Sequence, residues 1–169
     1  MTKIKIASTV KVTNLKKSKN DDNKQEQQVK ASIYNKKMLA IGASTGGTEA
    51  ICSVLMRLNR DVPWIVITQH MPPGFTKMFA DRLNNQTRLN VKEAITGDII
   101  KPGHVLIAPG DKQMKVVKVG DIYKVECFNG PKVSGHCPSV DVLFDSVATA
   151  CGKDAIGILL TGMGADGAK

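Results

Sequence analysis

Four short apolar runs constrain the fold of this 169-residue chain more than any other feature of its sequence. Each is followed by a glycine, a proline or a polar residue, and each contains aliphatic side chains with no charge. The runs are Met38–Ile41, Trp64–Thr68, Val105–Ala108 and Ala155–Leu160. Short continuous apolar runs of this kind are typical of strands in a parallel sheet.

Segments with helical spacing lie between these runs. Their apolar positions are Ile51, Val54, Leu55 and Leu58, then Phe75, Met78, Phe79 and Leu83, then Val140, Leu143, Phe144 and Val147 after a capping Ser139. Gly120-Asp121 joins Met114–Val119 to Ile122–Phe128 and predicts a tight hairpin. Strands that alternate with helices predict an α/β fold, with a mainly parallel sheet covered on both faces and one antiparallel hairpin.

Composition and charge divide the chain near residue 36. The net charge is +9, but residues 1–38 hold ten lysines against three acidic residues. Residues 1–36 have few large apolar groups, so we predict a basic, disordered linker or tail there and one domain over residues 37–169. The domain is nearly neutral and only 4% of the chain is aromatic, which argues against a nucleic-acid partner.

Several other classes of protein are excluded by the sequence. It contains neither eighteen consecutive apolar residues nor an apolar signal segment, so we expect no membrane insertion and a cytoplasmic location. The four cysteines form no C-x-x-C pair and the three histidines lie far apart, so we expect no metal site.

Polar residues follow three of the predicted strands. Ser44 lies in the turn Gly42–Gly47 after the first strand, His70 follows the second, and Asp166 lies in the glycine-rich loop after the last. The carboxyl ends of parallel strands meet at one edge of a sheet, where chemistry gathers. A serine nucleophile, a histidine base and an orienting carboxylate are the groups that nucleophilic catalysis requires.

Each of these residues also has a simpler interpretation. Ser44 could cap a helix, and the glycines around it could bind a phosphate. His70 could be structural or merely exposed, and Asp166 could form a turn before Gly167. Gly42–Gly46 matches G-x-S-x-G, but the order serine, histidine, aspartate differs from that of α/β-hydrolases. A nucleotide-binding domain therefore competes with the hydrolase, although His70 stands where a ribose-binding carboxylate is expected.

Two further groups of residues lie near the candidate site in the predicted topology. His136, Ser139 and Asp141 surround the start of a helix, and we interpret them as structural or close to the substrate. The loop around Met163 has glycines on both sides, and one of its amides could face an oxyanion.

Five ordered motifs, from about Met38 to Lys169, resemble the chemotaxis protein-glutamate methylesterases. They are Ile41–Ala50 (IGASTGGTEA), Thr68–Thr76 (TQHMPPGFT), Ile107–Gly110 (IAPG), Pro138–Phe144 (PSVDVLF) and Leu160–Ala168 (LTGMGADGA). Five motifs in the family's order and spacing are far more specific than one glycine-rich turn.

The resemblance implies a Rossmann-like, doubly wound sheet and a serine hydrolase without a metal, nucleotide or other cofactor. It implies Ser44 as nucleophile, His70 as base and Asp166 as orienting acid, with Thr45 beside the nucleophile and the Met163 amide as an oxyanion donor. The implied substrates are γ-glutamyl methyl esters, and also glutamines, on the cytoplasmic helices of chemoreceptors. A receiver domain or a receiver protein is a further implied partner.

The sequence departs from the family's pattern at both ends. Members of the family usually begin with a receiver domain, whereas we expect a linker at residues 1–36. The given sequence ends three residues after Asp166, where the family continues with a helix and further strand structure. We therefore expect a catalytic domain that is incomplete at its C-terminus and marginally stable, because one lost helix is comparable to the ~5–15 kcal/mol of a whole domain. A truncated, catalytically weak receptor-binding domain is the alternative.

Overall fold

The structure, a computed structural model, describes residues 37–168. The elements in chain order are β1 (Met38–Ala43), α1 (Gly47–Leu55), β2 (Trp64–Gln69), α2 (Phe75–Gln86), β3 (Asn90–Glu93), β4 (His104–Ile107), β5 (Gln113–Val119), β6 (Ile122–Phe128), α3 (Val140–Cys151), a 3-10 turn (Gly152–Asp154) and β7 (Ala155–Leu159). The disordered tail predicted for residues 1–36 lies outside the described residues.

Five strands form one parallel sheet in the order β3-β4-β2-β1-β7. The hairpin β5-β6 forms a second, antiparallel sheet whose last pair is Val119 opposite Ile122, on either side of Gly120-Asp121. The prediction of an α/β fold with a mainly parallel sheet and one antiparallel hairpin is confirmed.

The parallel sheet is covered on both faces by apolar side chains. Along β2, Ile65 and Ile67 face one core, which contains apolar residues of α1 and α2, whereas Val66 faces the other, which contains residues of α3 and the hairpin. Both faces of the central strands are therefore removed from water, which is why β1 and β2 are continuous apolar runs in the sequence. Helices on both faces make the sheet doubly wound.

Several details differ from the sequence-based expectations. β3 was not predicted, because Asn90–Glu93 is four residues long and has one buried apolar side chain, Val91. α1 ends at Leu55, so Leu58 packs against the core from outside the helix. Phe75 and Met78 were expected on the buried face of α2, but they are 55% and 68% exposed.

The last strand also differs from a buried run. β7 pairs with β1 on one side, and no strand within residues 37–168 pairs with its other side. Ile156 and Leu159 are consequently exposed at the edge of the sheet. Of the helices described in this range, none is long and apolar enough to cross a membrane.

Two strand glycines, Gly42 of β1 and Gly157 of β7, lie against side chains of α3. The closeness of this packing predicts how each responds to substitution. A Cβ atom at Gly42 would overlap the Val140 side chain, whereas one at Gly157 would meet only the Phe144 ring, at 3.6 Å. We expect Gly42→Ala to lower the free energy of unfolding by about 1–3 kcal/mol through overpacking. Gly157→Ala is the matched control and should be neutral or slightly stabilising. Urea unfolding measures both, and equal effects would contradict this account of the packing.

Candidate active site

Strand pairing places Ser44 and His70 at one edge of the sheet. β1 and β2 are parallel, with Ala43 opposite Gln69, so the next residue of each strand leaves the sheet at the same level. The His70 N–H continues the ladder and donates to the Ala43 carbonyl (3.1 Å). The predicted proximity of Ser44 and His70 follows from this register.

The loop after β7 reaches the same edge from the other side of β1. The Ser44 N–H donates to the Thr161 carbonyl (2.9 Å), and the Thr161 hydroxyl donates to the Thr45 carbonyl (3.1 Å). A Cβ atom at Gly162 would lie 2.7 Å from the Ser44 Cβ, so only a glycine permits this approach without a shift. Because β2 and β7 flank β1, the site lies where the strand order reverses, which is the usual ligand site of an open α/β sheet.

The Asp166 carboxylate is buried and accepts four hydrogen bonds. Three come from the start of α3: the Ser139 hydroxyl (2.7 Å), the Val140 N–H (2.8 Å) and the Asp141 N–H (2.9 Å). The fourth comes from Nε2 of His70, at 2.7 Å from Oδ2. Asp166 and Gly167 do form the expected turn, closed by the Ala168 N–H on the Ala165 carbonyl (3.1 Å). The Asp166 side chain does more than form this turn, since its oxygens are shared between a helix N-terminus and the histidine.

His70 is held at its edge by Asp166 and on its face by a second ring. The His136 ring stacks on it with centroids 3.7 Å apart and an interplanar angle of 9°. The remaining ring nitrogen of His70, Nδ1, is buried and has no hydrogen-bond partner among the described residues. With Nε2–H directed to Asp166, Nδ1 is the nitrogen left to accept a proton.

The electrostatics of the pair favour a neutral ring beside a charged carboxylate. Burial lowers the pKa of His70 below 6.5; the hydrogen bond to Asp166 opposes this effect and the neighbouring His136 adds to it. Burial alone would raise the pKa of Asp166, but hydrogen bonds from Asp141, Ser139, Val140 and His70 outweigh burial and hold it below 3.8. A neutral imidazole oriented by a carboxylate is the form required of a general base.

Four of the five residues proposed from the sequence share one cavity. Ser44, His70, Met163 and Asp166 line a space of about 60 Å³, and Thr45 follows Ser44 on the exposed side of the turn. His70 also lines a more open groove of about 280 Å³, together with His136. The interpretation of Ser44 as a helix cap is wrong, because the N-cap of α1 is Gly46, with a left-handed backbone (φ 76°).

Two buried glutamines brace the site and were not recognised in the sequence. Gln69 donates from Nε2 to the carbonyls of Ser44 (2.9 Å) and His70 (3.2 Å), which joins the two turns. Gln113 donates to the carbonyls of Pro131 and His136 and accepts from the Ser139 N–H. Their only signal in the sequence was an amide side chain directly next to an apolar strand.

The cluster His136, Ser139 and Asp141 lies around the candidate triad. Ser139 caps α3, as predicted, and its hydroxyl also binds Asp166. His136 contacts His70 and lines the open groove, so it is close to any bound substrate. Within residues 37–168, no group of three or more His, Cys, Asp or Glu side chains is arranged to hold a metal ion.

Comparison with known proteins is consistent with this geometry. Residues 39–169 match the family model described as CheB methylesterase. The chain belongs to the CheB methylesterase family. The five motifs that resemble the chemotaxis methylesterases therefore belong to one domain, and the structure brings the three motifs with Ser44, His70 and Asp166 together at one edge of the sheet.

Relatives in the CheB family carry names that describe two hydrolytic activities. A protein-glutamate methylesterase/protein-glutamine glutaminase of Syntrophotalea carbinolica is 50% identical over 170 residues, which is 99% of this chain and 48% of that protein. A protein of the same name from Salmonella typhi is 55% identical over 136 residues, which is 80% of this chain and 39% of that protein. The chain thus spans about half or less of the length of these relatives.

A solved structure of the family has the same fold. The crystal structure of the Thermotoga maritima CheB methylesterase catalytic domain is 39% identical to this chain and superposes with a TM-score of 0.75, covering 78% of this chain and 70% of that one. The expectation of a Rossmann-like, doubly wound fold is confirmed.

The stacked histidines predict a change in the pKa of His70. His136→Ala uncovers the His70 ring and removes the electrostatic effect of the neighbouring ring. Burial and that neighbour are the two effects that lower the pKa of His70. We therefore expect the pKa of His70 to rise towards 6.5 in this variant. An NMR titration of the imidazole protons measures it, with His104→Ala as a control because His104 lies at the opposite end of the strands, next to Asn90. An unchanged or lower pKa of His70 in His136→Ala would contradict the account.

Proposed function

We propose that residues 37–169 form a catalytic domain that hydrolyses γ-glutamyl methyl esters with Ser44 as nucleophile, His70 as base and Asp166 as orienting acid. The observation that carries the proposal is the buried hydrogen bond of 2.7 Å between His70 and Asp166, next to Ser44 in one cavity. The motif resemblance and the names of the relatives supply the substrate class.

The first half of the reaction forms an acyl-enzyme. Ser44 Oγ attacks the ester carbonyl carbon while the free nitrogen of His70 takes the hydroxyl proton. The tetrahedral intermediate then collapses, the bond from carbon to the methoxy oxygen breaks, and His70 returns the proton to that oxygen. Methanol leaves, and the glutamyl group stays bound to Ser44.

The second half releases the product. Water gives its proton to His70 and attacks the acyl carbon, and the proton then returns to Ser44 Oγ as glutamate leaves. A glutamine side chain follows the same route with ammonia as the first leaving group. This shared acyl-enzyme accounts for a protein that would act both as methylesterase and as glutaminase.

The negative charge on the oxygen of the tetrahedral intermediate requires hydrogen-bond donors beside Ser44. We assign this role to the Met163 N–H, because Met163 lines the cavity with Ser44 in a loop with glycines on both sides. Thr45 is assigned to the exposed side of the turn, where its carbonyl is tied to Thr161. Donors of this kind contribute about 3–4 kcal/mol to stabilising a transition state.

The partner we propose is the methylated cytoplasmic helix bundle of a chemoreceptor, and we propose the cytoplasm as the place of reaction. Met163 is an exposed apolar side chain that lines the cavity of Ser44, and it could contact such a partner. A receiver domain or protein that controls access to this edge is a further proposed partner.

Methanol release from methylated chemoreceptor membranes tests the proposal. We expect Ser44→Ala to lower the rate by at least about 10⁴-fold, because the attacking atom is lost while binding is kept. Ser53→Ala is the matched control, since Ser53 is exposed on α1 and lines neither the cavity of Ser44 nor the groove beside His70. Circular dichroism establishes that both variants fold.

The outcomes separate the proposal from its alternative. Turnover that survives in Ser44→Ala would show that this serine is not the nucleophile. No methanol from any variant, together with capture of the receptor in a pull-down, would favour the truncated, catalytically weak receptor-binding domain instead.

A further inference from the structure

One side chain connects the two groups that hold the His70 ring. The Asp141 carboxylate accepts the Gly167 N–H at Oδ1 (2.7 Å) and the Ser134 hydroxyl at Oδ2 (2.6 Å). Gly167 follows Asp166 in the loop after β7, while Ser134 lies in the turn that leads to His136. The two oxygens of Asp141 therefore bind two segments that are far apart in sequence.

The link to the Asp166 loop is reciprocal. The Asp141 N–H donates to the Asp166 carboxylate, and the Gly167 N–H donates back to the Asp141 carboxylate. Two backbone amides and two carboxylates thus close a ring of contacts between the start of α3 and the loop. Such a pair of bonds fixes the direction of the Asp166 side chain better than a single bond can.

The link to the His136 turn is equally specific. Val133 and His136 exchange two backbone hydrogen bonds (3.0 and 2.9 Å) around Ser134 and Gly135, both of which have positive φ. The Ser134 hydroxyl ties this turn to Asp141, and the turn presents the His136 ring to His70.

We propose that Asp141 is a positioning residue, whose carboxylate fastens the loop of Asp166 to the turn of His136. It lines neither the cavity of Ser44 nor the groove beside His70, so it acts through its neighbours and not on the substrate. Asp166 and His136 contact the His70 ring, and Asp141 holds the segments of both. Asp111 and Lys132 are the other charged side chains that line the groove beside the ring. The effect on turnover rests on the proposed function; the effect on the ring does not.

The structural alternative is that Asp141 only stabilises the N-terminus of α3, where a carboxylate is favourable. Asp141→Ala removes both contacts and Asp145→Ala removes the same charge from an exposed position one turn further along α3. Asp141→Asn keeps an acceptor for Gly167 and can donate to the Ser134 oxygen, so it should recover most of what Asp141→Ala loses. Ser134→Gly removes only the link to the turn and suits the positive φ.

Two measurements on the full chain test the proposal. In methyl ester hydrolysis we expect Asp141→Ala to lower kcat by about 10–100-fold with KM unchanged, because small displacements of catalytic groups have large effects on rate. In NMR spectra of the three imidazole rings, we expect the hydrogen-bonded Nε2 proton of His70 to broaden or disappear in Asp141→Ala and to persist in Asp145→Ala. Ser134→Gly should shift the His70 resonances, because the His136 ring moves.

Each result decides the matter. Equal kcat and equal His70 spectra in Asp141→Ala and Asp145→Ala would overturn the proposal. If Asp141→Ala does not fold, the Ser134→Gly variant tests the proposal in its place. His70 resonances in Ser134→Gly that are identical to those of the wild type would then overturn the proposal. If the wild type shows no hydrolysis, the proposed function fails, but the His70 spectra still test the positioning role.

Discussion

The buried Asp166 carboxylate is the group on which the arrangement of the site depends. An ionised carboxylate removed from water costs several kcal/mol of free energy unless hydrogen bonds and opposite partial charges replace its hydration. Here the N-terminus of α3 supplies three donors, and the positive end of the helix dipole lies at the same place. The fourth donor is His70, so the groups that stabilise the charge also orient the base.

The fold brings these groups together through close backbone approaches. α3 packs onto the sheet where Gly42 and Gly167 leave room for the Val140 side chain, and the loop after β7 packs onto Ser44 at Gly162. The serine turn, the histidine and the helix start are thereby fixed to one rigid edge of a parallel sheet. Positions on such an edge are held more accurately than positions on a free loop, which suits groups that must meet within hydrogen-bond distance.

Sequence patterns predicted the part of this arrangement that depends on local periodicity. β1 and β2 are buried on both faces, so their apolar runs and their shared carboxyl edge could be inferred, and with them the proximity of Ser44 and His70. β3 could not be inferred, because four residues with one buried side chain carry too little signal. The helical spacing predicted α2 itself, but the exposure of Phe75 and Met78 could not be inferred, since apolar periodicity does not tell which part of the helix surface is covered.

The partners of Asp166 were beyond such patterns. Its contacts with Ser139 and Asp141 join residues 25 to 27 positions apart, and nothing in the local sequence distinguishes a buried carboxylate from one in an exposed turn. The family resemblance supplied the roles of the residues, whereas only the structure shows how the start of α3 holds the acid. The stack of His136 on His70 is likewise a tertiary contact without a local signal.

Labelling with an organophosphonate tests the central claim most directly, because it reports the reactive serine without requiring a receptor. We expect intact-protein mass spectrometry to show one adduct per chain, peptide mapping to place it on Ser44, and His70→Gln to label far more slowly. An adduct on another residue, or labelling of His70→Gln at the wild-type rate, would contradict the account.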